Sequence, residues 1–151
     1  MQIRPEIDGK YKEMEIHVCN DRMNEEVGET VLLLHSFFDP AITGIDEVGN
    51  HCVIRPADII SFYAEGQRVI AMDASKRYSV SKKLYEIEKE YEGLHFVRIS
   101  KSEIVNYKKI KSLDMSLTGT IKVTMKNGYE TYSSRRNVAK LKELLLQNRQ
   151  A

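Results

Sequence analysis

Apolar and polar positions along this chain follow two periods, 3.6 near the N-terminus and two over most of the remainder. Val27, Val31, Leu34 and Phe38 recur at i, i+4, i+7 and i+11 and form one stripe of a helix. The helix is expected to start near Asn20/Asp21 and to stop at Asp39-Pro40. Glu25, Glu26 and Glu29 fall early in it, where the helix dipole favours negative charge. Two short strands over residues 3–8 and 14–19, with Gly9 between them, complete an expected small ββα unit over residues 1–40.

From residue 42 the pattern is one of short strands and tight turns. Strands over 42–47 and 52–55 flank Gly49-Asn50, and strands over 59–64 and 68–72 flank the glycine-containing loop Glu65-Gly66-Gln67. A strand over 77–80 leads to a helix capped by Ser81, with Leu84, Ile87 and Tyr91 as its apolar face and Gly93 as its stop. Strands over 95–99 and 110–116 follow, then a turn at Leu117-Thr118-Gly119 and a strand over 120–126. In that strand Ile121, Val123 and Met125 alternate with Lys122, Thr124 and Lys126. Asn127-Gly128 predicts a type I′ hairpin turn, which needs positive φ at both central residues. The return strand covers 129–133, and a closing helix over 135–146 buries Val138, Leu141 and Leu145. Residues 41–151 therefore read as a mostly-β domain of about seven short antiparallel strands and two short helices. No helix-turn-helix pattern occurs in it, so any DNA contact there must come from loops or strands.

Composition adds few constraints until charge is divided along the chain. With 151 residues, 42% hydrophobic and 30% charged, the chain suits one good-sized domain or a small domain with an appendage. The longest apolar run is residues 31–34, far short of a membrane helix, and the N-terminus has no secretory pattern. Cys19 and Cys52 supply no disulfide framework, and a cytoplasmic location is expected. The net charge of +1 conceals a polarity: residues 1–40 carry −5, residues 41–95 carry −2 and residues 96–151 carry +8. A cationic third on an otherwise acidic chain points to a polyanionic partner.

Three places concentrate the relevant chemistry. In RISKSEIVN, residues 98–106, an apolar strand turns through Ser100-Lys101-Ser102 and re-enters the core at Ile104 and Val105. Such a pinned corner presents an ammonium group and two hydroxyls at low entropic cost. In YSSRRNVAKL, residues 132–141, Ser134 is a natural N-cap that puts Arg135 and Arg136 in the first helical turn, against the dipole. Lys82 and Lys83 after Ser81 repeat that arrangement. Helix-start N–H groups beside cations suit phosphate oxygens. His17 with Cys19, and His51 with Cys52, lack the spacing of a zinc site. No phosphate loop, nucleophile elbow or catalytic dyad is present, so neither an enzyme nor a metal or cofactor is expected.

The ordered segments ADIISFYAEGQRVIAM, SKKLYEIEKEY, FVRISKSEIVNYKKIKSL and GTIKVTMKNGYETYSSRRNVAKLKELL resemble the LytTR DNA-binding domain of bacterial transcription regulators, over about residues 45–147. The resemblance implies an elongated, mostly-β fold of small antiparallel sheets whose loops enter successive major grooves of double-stranded DNA. By position it implies base contacts from Gln67, with Arg68 beside it, from Lys101 and from Arg136. Phosphate contacts would come from Ser81, Lys82, Ser100, Ser102, Ser134 and Arg135. Gln67 and Lys101 depart from the family's frequent His and Asn, and Lys favours guanine where Asn favours adenine. Many relatives are response regulators with a phospho-receiver domain; the acidic first forty residues are too few for one. Regulation by a partner membrane protein, dimerisation through the N-terminal unit and homodimer binding to repeated sites are the expectations that follow, with no small-molecule substrate. The alternative from another class is a protein-interaction module whose basic face binds an acidic protein.

Overall fold

The structure is a computed structural model and describes residues 4–11, 15–38, 41–116 and 118–150. The chain divides into two compact units, Met1–Phe37 and Phe38–Ala151.

In the first unit, the described parts of the two expected strands, residues 4–8 and 15–19, form no strand. This corrects the ββα expectation: short alternating segments become strands only where a neighbour accepts their hydrogen bonds. A turn does form at Gly9-Lys10. Helix α1 (Glu25–Phe38) follows, with Glu25 and Glu26 in its first turn. Its cap is Asn24 rather than Asn20 or Asp21, since the Asn24 side chain accepts from the Val27 N–H at 2.9 Å. Val27 is buried and Val31 and Leu34 are half-buried, as the apolar stripe predicts. The Asp39-Pro40 stop and the side chains of Phe37 and Phe38 lie outside the described residues.

Among the described residues the second unit holds ten strands. They are β1 (Ile42–Asp46), β2 (His51–Ile54), β3 (Ser61–Glu65), β4 (Arg68–Met72), β5 (Arg77–Val80), β6 (Phe96–Ser100), β7 (Glu103–Asn106), β8 (Ile110–Asp114), β9 (Thr120–Met125) and β10 (Glu130–Ser134). Helices α2 (Leu84–Glu90) and α3 (Arg135–Gln150) complete it, and strands separate every pair of successive helices. Seven strands form one antiparallel sheet in the order β2-β1-β5-β4-β3-β7-β6, and three form a second in the order β10-β9-β8. The strand β7 is absent from the periodicity reading because all four of its residues are buried, leaving no alternation to detect.

The large sheet buries side chains on both faces. On one, Phe62, Ile104 and Ala71 pack with Leu84, Ile87 and Tyr91 of the α2 segment, the apolar face expected of that helix. Phe62, Tyr91 and Phe96 form an aromatic trio with ring centroids 5.4 to 6.0 Å apart. On the other face, Val97, Ile99 and Val105 meet Val123 and Met125 of the small sheet and Leu141 of α3. Strand alternation does this sorting: in β6, Phe96 goes to the first core and Val97 and Ile99 to the second.

Glu103 joins the two sheets. It is buried, and its carboxylate accepts from the Ser61 hydroxyl of β3 at 2.5 Å and from the Thr131 hydroxyl of β10. A buried carboxylate is tolerable only when donors replace its water, and these hydroxyls do so.

The Asn127-Gly128 hairpin forms with a different turn from the expected one. Only Gly128 has positive φ, at 88°. Its N–H bonds to the Met125 carbonyl at 2.9 Å, while the Met125 N–H bonds to the Tyr129 carbonyl at 2.8 Å. This is a type I turn closed by a left-handed glycine, the three-residue hairpin loop.

Candidate nucleic-acid interface

Strand register places the candidate residues at one end of the large sheet. The β3–β4 hairpin pairs Glu65 with Arg68, leaving Gly66-Gln67 as a two-residue loop. Gly66 has a φ of 61°, as the first central position of a type II′ turn requires. Because Val69 pairs with Val80, β5 ends beside that hairpin and delivers Ser81 and Lys82 to the same end. Strand β7 pairs Glu103 with Tyr63, and the Ala64 N–H bonds to the Ser102 carbonyl at 2.8 Å. The Ser100-Lys101-Ser102 corner therefore sits next to the β3–β4 tip.

The start of α3 reaches the same end because β6 is an edge strand. Its carbonyl at Ile99 accepts from two side-chain donors, one on β10 and one on α3. These are Ser133 Oγ at 3.1 Å and Asn137 Nδ2 at 2.8 Å. Asn137 directly follows Arg135 and Arg136, so this bond fixes both arginines near the corner. The expected base-contact positions at Gln67-Arg68, Lys101 and Arg136 thus converge, although each is more than thirty residues from the next in the chain.

Gln67, Arg68, Ser81, Lys101, Ser102, Ser134, Arg135 and Arg136 are exposed, and Lys82 and Ser100 are half-buried. Among the described residues, Arg68, Lys101, Arg135 and Arg136 make no ion pair. Lys82 differs, as its ammonium pairs with Glu90. The reading of Lys82 and Lys83 as a first helical turn is also corrected. Helix α2 begins at Leu84, and the Lys83 backbone N–H bonds to the Glu86 carboxylate at 2.7 Å, so its first turn is acidic. The dipole is opposed at α3, where Arg135 and Arg136 open the helix and no acidic residue lies in the first turn.

The corner is internally braced. Ser102 N–H donates to Ser100 Oγ at 3.2 Å, and the two serine hydroxyls lie 3.3 Å apart. Arg98, two residues before it, donates from Nε to the Ser100 carbonyl at 2.8 Å and from Nη2 to the Lys101 carbonyl. Sequence reasoning gave Arg98 no such role; a guanidinium two residues before a polar turn is the only local sign of it.

Elsewhere, a shallow cleft of about 500 Å3 lies among Tyr107, Lys108, Ile110, Lys111, Ser112, Leu113 and Leu145. It includes none of the expected contact residues. Cys52 is half-buried against the first core and Cys19 is exposed, both as free thiols. No described helix is long and apolar enough to cross a membrane.

Residues 49–146 match the family model described as the LytTr DNA-binding domain. The chain is 32% identical over 146 residues to a protein of Staphylococcus aureus strain MSSA476 named as an HTH-type transcriptional regulator, covering 96% of this chain and 98% of that one. A similarly named protein of strain NCTC 8325 is 31% identical with the same coverage. The match therefore extends into the acidic N-terminal unit. A LytTr DNA-binding domain structure from Bacillus cereus superposes with a TM-score of 0.63 at 20% identity, over 70% of this chain and 95% of that one.

Proposed function

The chain belongs to the LytTr DNA-binding domain family of bacterial transcriptional regulators, and from that premise we propose that it recognises promoter DNA by inserting loops from one end of its large sheet into successive major grooves. The observation that carries this reading is the convergence of Arg68, Lys101 and the Arg135-Arg136 helix start on that end, exposed and without acidic partners. Base reading falls to Gln67, Arg68, Lys101 and Arg136, whose long polar side chains extend from turns or from a helix start. Ser81, Lys82, Ser100, Ser102, Ser134 and Arg135 hold phosphates and set register. The protein is not read as an enzyme, and it needs no cofactor for this task.

Binding as a homodimer in the cytoplasm to a repeated site, with the N-terminal unit supplying dimerisation or the docking site of a regulatory partner, completes the proposal. Half-exposed apolar side chains on α1, including the exposed Leu33, support that role for the unit. The family resemblance suggests a membrane protein as that regulatory partner.

Selection of bound duplexes from a random pool, followed by salt titration of the recovered site, tests the reading. A recovered consensus is expected, with affinity falling steeply as salt rises because phosphate contacts release counterions. Failure to retain any duplex at low salt, alongside capture of an acidic protein by the same face, would favour the interaction-module alternative.

A further inference from the structure

We propose that Arg98 is the positioning residue of the DNA-facing corner: its guanidinium fixes the backbone from which Lys101 projects, and α2 holds that guanidinium in place. The inference rests on the DNA-binding reading and extends it to how specificity is built.

The geometry is unusual for a cation beside a candidate DNA surface. Arg98 lies on the α2 face of β6, opposite to Val97 and Ile99. Its Nε donates to the Ser100 carbonyl at 2.8 Å, its Nη2 to the Lys101 carbonyl, and its Nη1 to Glu88 of α2 at 3.0 Å. Each nitrogen of the guanidinium therefore has a partner within the protein. The β6–β7 ladder shifts register between Arg98 and Ser100, so regular strand pairing does not define the corner there. The side chain supplies what the ladder omits.

The planar fork matters for this work. Two carbonyls and a carboxylate are reached in fixed directions by one guanidinium, whereas a lysine ammonium offers a point charge on a flexible stem. A corner loosened by even a fraction of an ångström would let Lys101 sample several poses over a base edge, while its charge would still attract phosphate. The loss should therefore fall on discrimination rather than on general DNA affinity.

The test uses the full chain and the duplex that the wild-type protein selects from a random pool. Arg98→Lys keeps the charge and removes the fork. It is expected to bind the selected site about tenfold more weakly while changing binding to unrelated duplex by less than about twofold. Glu88→Gln, which loosens only the anchor, is expected to give a smaller loss of the same kind. The decisive readout is the cycle with Lys101→Ala: once Lys101 is gone, Arg98→Lys should have little further effect on the selected site. Additive losses, or an Arg98→Lys protein that selects the wild-type consensus with unchanged base preference, would overturn the inference. If Arg98→Lys proves unfolded by circular dichroism, Glu88→Gln in the same cycle carries the decision, and additivity there overturns it equally. A wild-type protein that selects no duplex would instead overturn the DNA-binding reading on which this rests.

Discussion

The side-chain amide of Asn137 donates to the backbone carbonyl of Ile99 at 2.8 Å, across 38 residues of chain. Ile99 stands two residues before Lys101 and Asn137 one residue after Arg136, so this bond links the segments that carry two candidate base-reading side chains. Asn137→Ala is expected to lower affinity for the selected site about tenfold. It should also destabilise the protein by about 1 kcal/mol, because Ser133 still serves the Ile99 carbonyl. Urea unfolding and equilibrium DNA binding read the two effects separately, and an unchanged affinity would show that the spacing of those side chains does not depend on this bond.

Lys101→Ala and Arg136→Ala should each cost about 1–3 kcal/mol on the preferred site and relax base preference at one position. Lys82→Ala should weaken all duplexes alike and reduce the salt slope by about 0.9. In the free protein Lys82 is paired with Glu90, so Glu90→Gln is expected to strengthen general DNA binding slightly. Salt titrations on preferred and random duplexes check all four variants. Identical behaviour of Lys101→Ala and Lys82→Ala on both duplexes would contradict the division between base reading and phosphate positioning.

Thr131→Val removes one donor from the buried Glu103 carboxylate and leaves Ser61 in place. A cost of about 1.5–3 kcal/mol is expected in denaturant unfolding, since the stranded acceptor is charged and shielded from water. A Thr131→Val protein as stable as wild type would mean that water reaches Glu103.

Gly44→Ala should be destabilising by about 1–3 kcal/mol. A Cβ there would lie 2.8 Å from Tyr78 Cβ and 3.0 Å from Ile54 Cδ1, both in the first core. Thermal unfolding measures it, and a neutral result would require β1 to shift.

Four phenols, those of Tyr63, Tyr78, Tyr107 and Tyr129, are pushed up, and Tyr78 and Tyr129 should titrate latest. The Tyr78 phenol is pushed up to about 12 by its hydrogen bond to Asp73 and by burial, and that of Tyr129 to about 12 by burial and the nearby Glu103 carboxylate. Each folded-state pKa lies above the unfolded value of about 10, so the folded protein binds the proton more tightly. Their contribution to stability is fully present below pH of about 10 and is lost as pH rises toward 12. Phenolate absorbance during alkaline titration, compared with Tyr78→Phe, checks the assignment; a Tyr78→Phe protein that retained both latest-titrating phenols would refute it.

The sequence by itself determined most of the strands, the charge segregation and the three cationic places. These depend on local properties: alternation in Thr120–Met125, glycine at positive φ, and polar residues where the chain must turn. Only the tertiary structure decided how those places combine. Strand β7 carries no periodic signal because both faces of the sheet there are covered, and the expected strands at residues 3–8 and 14–19 acquired no partners among the described residues. The start of α2 moved to Leu84, which makes its first turn acidic and couples Lys82 and Arg98 to Glu90 and Glu88. Glu103 carries no local sign of its role, because its hydroxyl partners lie 42 and 28 residues away. Propensity and pattern report on the chain within a few residues. The bonds that bring Lys101, Gln67 and Arg136 to one end of a sheet form between segments that meet only when β7 pairs with β3 and the two sheets pack, and no local signal encodes that meeting.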